Sequence, residues 1–163
     1  MYQLKTTQTV TSGLDEVYGF FAKPENLANI TPDWLGFEIL TPPPIPMKEG
    51  ALVDYRIKLG PLPTRWRTLI TSYEPGVSFV DEQLSGPYSF WHHTHRFRAT
   101  DSGGTELIDE VRFLPPFGFL GTLAVEMMIK RQLLGIFRHR HRVIAEMFGG
   151  SLEDCEGPEI VRL

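Results

Sequence analysis

The sequence predicts an α+β domain in which a curved, seven-stranded antiparallel sheet wraps one long C-terminal helix, with two small helices after the first strand. Three observations carry this. Five alternating, β-branched and aromatic segments follow one another between Ala51 and Leu114, the period-two signature of strands. The links between them are Gly60-Pro61-Leu62-Pro63, Glu74-Pro75-Gly76, Ser85-Gly86-Pro87 and Thr100-Asp101-Ser102-Gly103-Gly104. These are turn residues in runs far shorter than a parallel crossover needs, so neighbouring strands run antiparallel. From Phe117 to Phe148, Leu123, Met127, Leu134, Phe137, Ile144 and Phe148 recur at helical steps, and Val125, Ile129, Leu133, Ile136, Val143 and Met147 widen the apolar stripe. A helix apolar over that much of its girth has to be enclosed by the rest of the chain. Thirty-odd residues at ~1.5 Å each give a rod of about 45 Å, enough to cross a whole sheet.

In chain order, Tyr2–Val10 alternates and is rich in Thr, a first strand. Ser12 offers an N-cap to a short helix that carries Leu14, Val17, Phe20 and Phe21 and stops at Pro24. A second helical turn is expected over Pro24–Asn29, and another where Thr31-Pro32-Asp33-Trp34 places proline at a first helical position. Phe37–Thr41 is a strand, ended by Pro42, Pro43, Pro44 and Pro46, which cannot donate to a ladder. Strands Ala51–Leu59, Thr64–Tyr73, Val77–Leu84, Tyr88–Ala99 and Thr105–Leu114 come next. Pro115-Pro116 then breaks the sheet pattern and delivers the chain to the long helix, which Gly149-Gly150 ends. Residues 1–150 are read as one domain; residues 151–163 lack periodicity and are expected to form an acidic, mobile tail.

Composition narrows the function classes. With 42% hydrophobic, 12% aromatic and 22% charged residues in 163, the chain has the makings of a globular core. A formal net charge of -4 argues against nucleic acid as a partner, since that binding depends on a basic footprint. No run is long and apolar enough for a transmembrane segment, and Met1-Tyr2-Gln3-Leu4-Lys5 lacks the pattern of a signal peptide, so a cytoplasmic location is expected. Cys155 is the only cysteine, which leaves no internal disulfide and no CxxC pair.

Alternation assigns the faces of the strands. Val53, Tyr55, Ile57 and Leu59 point inward opposite Asp54, Arg56 and Lys58; Trp66, Thr68 and Ile70 oppose Arg65 and Arg67. On the sixth strand Trp91, His93, His95 and Phe97 share the inner face, and on the seventh Leu107, Asp109, Val111 and Phe113 do. A simple hairpin at Thr100–Gly104 sets Phe97 opposite Leu107, His95 opposite Asp109 and His93 opposite Val111. Opposed side chains lie about 5 Å apart, so His95 and Asp109 can hydrogen-bond inside the concavity. The same arithmetic puts Asp81 near His93 and Gln83 near Trp91, although a slip of one residue exchanges Asp81 for Glu82.

Two readings of these inward polar groups stay open: a satisfied core network, or the polar floor of a ligand site. His92 points away from His93 and His95, and His139 and His141 lie on different faces of the helix, so no metal site is expected. No cofactor is expected either. Arg138, Arg140 and Arg142 are read as a solvated, basic helix end, with contact to anionic membrane lipids as a minor alternative.

Several stretches are similar to those of a known family: Glu25-Asn26-Leu27 with Ile30-Thr31-Pro32, Gly86-Pro87, Trp91-His92-His93-Thr94-His95-Arg96-Phe97, Asp109-Glu110-Val111, and Pro116 through Gly121. Residues 1–148 resemble the SRPBCC group of the START-like, helix-grip superfamily, which includes polyketide cyclases, the birch-pollen allergen type and coenzyme-Q-binding proteins. This branch looks like the bacterial members labelled cyclase/dehydrase. The resemblance implies a cavity between sheet and helix that takes up a small hydrophobic ligand, aromatic, lipid or isoprenoid-like.

Three functional expectations follow. The first is a ligand-binding or carrier module with apolar walls at Val53, Tyr55, Ile57, Trp66, Phe97, Leu107, Met127 and Leu134 and a polar anchor at His93, His95, Asp109, Asp81 and Gln83; Trp66 and Trp91 are placed to stack on a ring. The second is a cofactor-free cyclase, dehydratase or hydrolase in which His95, held by Asp109, is the acid/base and Tyr55 polarises a carbonyl. The third is a protein-interaction domain with a filled core, contacting partners through the Pro42–Pro46 loop or the basic helix end.

Overall fold

The structure, a computed structural model, describes residues 1–59, 62–116, 118 and 128–163. Its order is β1 (Tyr2–Val10), α1 (Leu14–Phe21), 3-10 turns at Pro24–Ile30 and Asp33–Leu35, and β2 (Glu38–Ile39). Strands β3 (Leu52–Leu59), β4 (Leu62–Glu74), β5 (Ser78–Ser85), β6 (Phe90–Ala99) and β7 (Thr105–Leu114) follow. The long helix α2 is described over Lys130–Phe148, and the chain ends in β8 (Cys155–Arg162). One antiparallel sheet runs β2-β3-β4-β5-β6-β7-β1-β8, and its inner face meets α2. The predicted fold class is observed, with one more strand than expected. Leu123, Val125, Met127 and the Gly60-Pro61 turn lie outside the described residues.

The hairpin arithmetic holds. His95 pairs with Asp109, Phe97 with Leu107 and His93 with Val111, and Asp81 sits opposite His93. The β4–β5 ladder shifts register twice, with Leu84 the extra residue on β5 between the Arg67 and Thr68 pairs and Thr71 the extra residue on β4 between the Ile70 and Ser72 pairs; such bulges bend a strand and tighten its twist. They curve the sheet where it must close over the helix. α1 begins one residue later than expected: Gly13 occupies the N-cap, with no side-chain cap.

Along α2 the buried residues are Leu133, Phe137, Arg140, His141, Ile144 and Phe148. Their steps of three and four define the seam that faces the sheet. Leu134 is only half-buried and Met147 is exposed, so the apolar stripe expected from the spacing is wider than the seam. The helix ends where Gly149 takes a φ of 75°; a Cβ there would lie 2.1 Å from Thr11 Oγ1. The close approach lets the Ser12 amide donate to the Phe148 carbonyl at 2.9 Å, tying the end of the helix to the end of β1.

The C-terminal segment corrects the expectation of a mobile tail. Ser151 and Asp154 form a reciprocal cap, and Cys155–Arg162 pairs antiparallel with β1. The Thr6 hydroxyl donates to the Glu156 carbonyl at 2.8 Å, so it accepts from His141 Nε2 at 2.8 Å. Strand β1, β8 and α2 therefore meet at one side chain. Without β8, a row of β1 backbone groups becomes a free edge. Removing residues 151–163 is expected to leave the fold intact, raise amide exchange along Tyr2–Gln8 at least tenfold and promote self-association at high concentration; unchanged exchange would show that β8 does not protect β1.

The core is divided. One cluster gathers Tyr2, Leu4, Trp66, Trp91, Val111, Phe113, Leu133 and Phe137; the other gathers Val10, Val17, Phe21, Phe79, Phe97, Leu107, Ile144 and Phe148. Along β6, Trp91 belongs to the first and Phe97 to the second, with His93 and His95 between them. Along α2, Phe137 and Ile144 belong to different clusters, with Arg140 and His141 between. A polar band thus crosses the interior at one level.

Candidate functional site

Between the sheet, α2 and the small helices lies a cavity of about 200 Å³. Val53, Tyr55 and Ile57 of β3 and Trp66, Thr68 and Ile70 of β4 form one wall; Tyr88, Trp91, His93 and His95 lie beyond them, with Phe79 and Asp81 of β5. The helix contributes Gln132, Leu133, Ile136, Phe137 and Arg140, and the small helices contribute Phe21, Leu27, Ile30 and Leu35 among others. The aromatic end is tightly interlocked: Tyr55 stacks on Trp66 at 5.6 Å, and Trp91 meets Trp66 edge-on at 5.1 Å.

At the other end the polar groups interlock. Asp109 Oδ1 receives His93 Nε2 and His95 Nδ1, each at 2.9 Å, and Arg140 Nη2 lies 3.6 Å away. His95 Nε2 lies 2.8 Å from Asp81 Oδ2. His93 Nδ1 is 3.6 Å from that same oxygen, too far for a hydrogen bond. The Arg140 guanidinium also packs over the rings of Phe21 and Phe137, 5.2 and 5.7 Å from their centroids.

Ionisation follows from these contacts. Burial pushes the Asp109 carboxyl up, but the Arg140 charge and the two histidine bonds outweigh it and hold it well below the usual carboxylate range. Asp81 is likewise held down against burial by His93, His95 and Arg140. Burial disfavours charge on His95, yet bonds to Asp109 and Asp81 raise its pKa. In His93, burial and the neighbouring His95 charge win over both carboxylates and lower it. Two anions, one guanidinium and one imidazolium then balance, which is how a buried charge cluster avoids a net desolvated charge.

Of the sequence-predicted site residues, Val53, Tyr55, Ile57, Trp66, Asp81, Trp91, His93 and His95 line the cavity. Gln83 does not: its amide donates to the Tyr88 carbonyl at 2.6 Å and accepts from the Tyr88 amide, bracing the turn before β6. Phe97 and Leu107 are buried in the second core cluster, Leu134 lies off the seam, and Met127 is outside the described residues. Asp109 sits behind the two histidines rather than on the cavity wall. His95 has both ring nitrogens taken by carboxylates, so none is left for a substrate proton in this arrangement. Arg138 and Arg142 are exposed while Arg140 is buried, so the three arginines do not make one basic surface.

Arg140 is the main residue missed. Its place three after Phe137 and four before Ile144 was the available signal. Asp81, His93 and His95 also bring three ligand-type atoms within 4.8 Å of one another, a grouping that takes its third member from the neighbouring strand and not from the histidine run.

This architecture is a helix-grip fold, shared with solved structures that include a START superfamily protein. The Zhui aromatase/cyclase of a Streptomyces species matches with a TM-score of 0.71 and 17% identity, covering 90% of this chain and 93% of its own. A START superfamily protein of Mycobacterium smegmatis matches at 0.68 and 10%, covering 91% and 97%. A major latex-like protein of Panax ginseng matches at 0.64 and 12%, covering 90% and 96%. At such identities the shared property is the fold. The chain belongs to the family described as Domain of unknown function (DUF8410), whose model matches residues 50–148 and so spans Val53 through Arg140. No curated protein matches in sequence. Among the described residues no helix is long and apolar enough to cross a membrane.

Proposed function

We propose that this protein binds a small, largely apolar molecule carrying a hydrogen-bond-accepting end, held between the sheet and α2. One observation carries the reading: Trp66 Nε1 and Arg140 Nε are buried donors without a hydrogen-bond partner among the described residues, and both residues line the cavity. An unpaired buried donor costs about 1–3 kcal/mol, a cost that a ligand carbonyl, carboxylate or phenolate oxygen relieves. The aromatic wall supplies stacking surface for the rest of the molecule. At about 200 Å³ the space lies below the ~300–1,000 Å³ of pockets for drug-sized ligands, which suits a molecule of one or two rings. The aromatase/cyclase neighbour supports the choice of an aromatic ligand by analogy of fold.

The test is a titration with two fluorescent two-ring probes, anionic 2-naphthoate and neutral 2-methoxynaphthalene. Each is expected to bind the wild type saturably at one site, and Ile136→Trp, which fills the cavity from α2, should abolish both. Arg140→Met should weaken the anionic probe about tenfold or more, since bonds to charged groups contribute ~1.5–3 kcal/mol, and leave the neutral probe nearly unchanged. Non-saturable binding, or saturable binding indifferent to Ile136→Trp, rejects the site.

A further inference from the structure

We propose that Asp81, His93 and His95 form a three-ligand site for a divalent first-row transition ion, opening into the cavity, with Asp109 as the outer carboxylate that orients both imidazoles. The argument begins with the ladder. His93 and His95 are two apart on β6 and share its inner face; Asp81 stands directly across from His93 on one side, and Asp109 directly across from His95 on the other. Four side chains from three adjacent strands are thereby placed by backbone pairing, the kind of rigid base a metal site needs.

The hydrogen bonds then select the ring tautomers. Asp109 Oδ1 accepts from His93 Nε2 at 2.9 Å and lies 2.9 Å from His95 Nδ1. A carboxylate can only accept, so His93 Nε2 carries its ring's hydrogen and leaves Nδ1 a free lone pair; His95 Nε2, hydrogen-bonded to Asp81, becomes a ligand atom when the ion displaces that hydrogen. The opposite nitrogens, His93 Nδ1 and His95 Nε2, turn toward one carboxylate oxygen, Asp81 Oδ2, at 3.6 and 2.8 Å. Ligating histidines almost always give their other N–H to a carboxylate, carbonyl or water, and here one oxygen serves both. Ligand atoms about 2.0–2.1 Å from an ion stand roughly 2.8–3.4 Å apart at square or tetrahedral angles; the two edges to Asp81 are within ~1 Å of that range, and all three ligand atoms lie within 4.8 Å of one another.

Charge and access agree with this. Two carboxylates and the Arg140 guanidinium, 3.6 Å from Asp109, sum to one negative charge with both imidazoles neutral. A dication replaces the proton that otherwise lies between His95 and Asp81 and leaves room for one anionic ligand. Asp81, His93 and His95 line the cavity, so the remaining coordination positions face it. Three protein ligands with open positions are the pattern of catalytic zinc and of two-histidine, one-carboxylate iron sites. The proposal rests on side-chain geometry, independently of which molecule occupies the apolar part.

The experiment uses the full chain, stripped with chelator and dialysed against Zn(II), Co(II) or Fe(II) without any organic ligand. One equivalent is expected to be retained, with visible Co(II) bands of a low-coordinate nitrogen/oxygen site. Asp81→Asn and His93→Gln should each weaken retention at least tenfold, while His92→Gln, on the outer face of β6, should not. In the wild type, ring-nitrogen NMR should show Zn(II) shifting His93 Nδ1 and His95 Nε2 and sparing His92 and His139, a readout that does not require the variants to fold. No stoichiometric retention, or shifts confined to His92 or His139, overturns the proposal; probe binding in the cavity would survive that result.

Discussion

Asp109→Asn is expected to lose about 3–5 kcal/mol of unfolding free energy near neutral pH, the usual cost of removing one member of a buried ion cluster. The carboxylate is the meeting point of His93, His95 and Arg140, and without its charge Arg140 and the His95 cation sit desolvated against Asp81 alone. Most domains have only ~5–15 kcal/mol in total, so the variant should unfold at markedly lower urea. The pH dependence has a definite sign. A carboxyl whose pKa is lower folded than unfolded stabilises above the unfolded value, 3.8, and loses that contribution as pH falls through the folded value. The gap between wild type and variant should therefore be full above about pH 4 and close only well below it. Glu106→Gln is the comparison: its partner Arg98 is 3.7 Å away and largely exposed, and such pairs contribute ~0–1 kcal/mol. Equal losses in the two variants would refute a buried, mutually dependent cluster.

Phe113→Ala is expected to cost about 3–5 kcal/mol, the range for deleting a buried ring. Phe113 is fully buried at 0% exposure. Its ring stacks on Tyr2 at 5.5 Å, meets Tyr88 edge-on at 5.7 Å and lies 6.1 Å from Trp91. It backs the aromatic wall of the cavity, so its loss frees Tyr88 and Trp91 to move into the void. Urea unfolding followed by near-ultraviolet circular dichroism should show both the lower midpoint and a weakened aromatic signal before unfolding begins. Phe113→Leu, which keeps most of the volume, should cost under ~1.5 kcal/mol. If alanine were tolerated as well as leucine, the ring would not be a support of that wall.

Much of the architecture was legible because it is written in short-range periods. Alternation assigned the inner faces of β3, β4, β6 and β7, and the length of the Thr100–Gly104 turn set the pairing of His95 with Asp109. What escaped depended on contacts between distant segments. Cys155–Arg162 has no clean alternation, and it becomes a strand because β1 offers it an edge. Gln83 alternates correctly with Asp81, yet its amide is drawn to the Tyr88 backbone by the turn between them. Phe97 and Leu107 point inward as expected but pack in the second core cluster rather than on the cavity, Phe97 against Tyr18 and Phe21 of α1, since alternation tells which face a residue lies on and not what stands before it.

The class of fold, the antiparallel pairing and the inward direction of His93, His95 and Asp109 follow from backbone period and turn length alone. The assembled fold adds that Arg140 turns into the polar band, that Asp81 and Asp109 flank the two imidazoles from neighbouring strands, and that a cavity remains beside them. Those outcomes depend on the rotation and height at which α2 docks across the sheet, which the summed packing of many side chains sets and no local run of residues encodes.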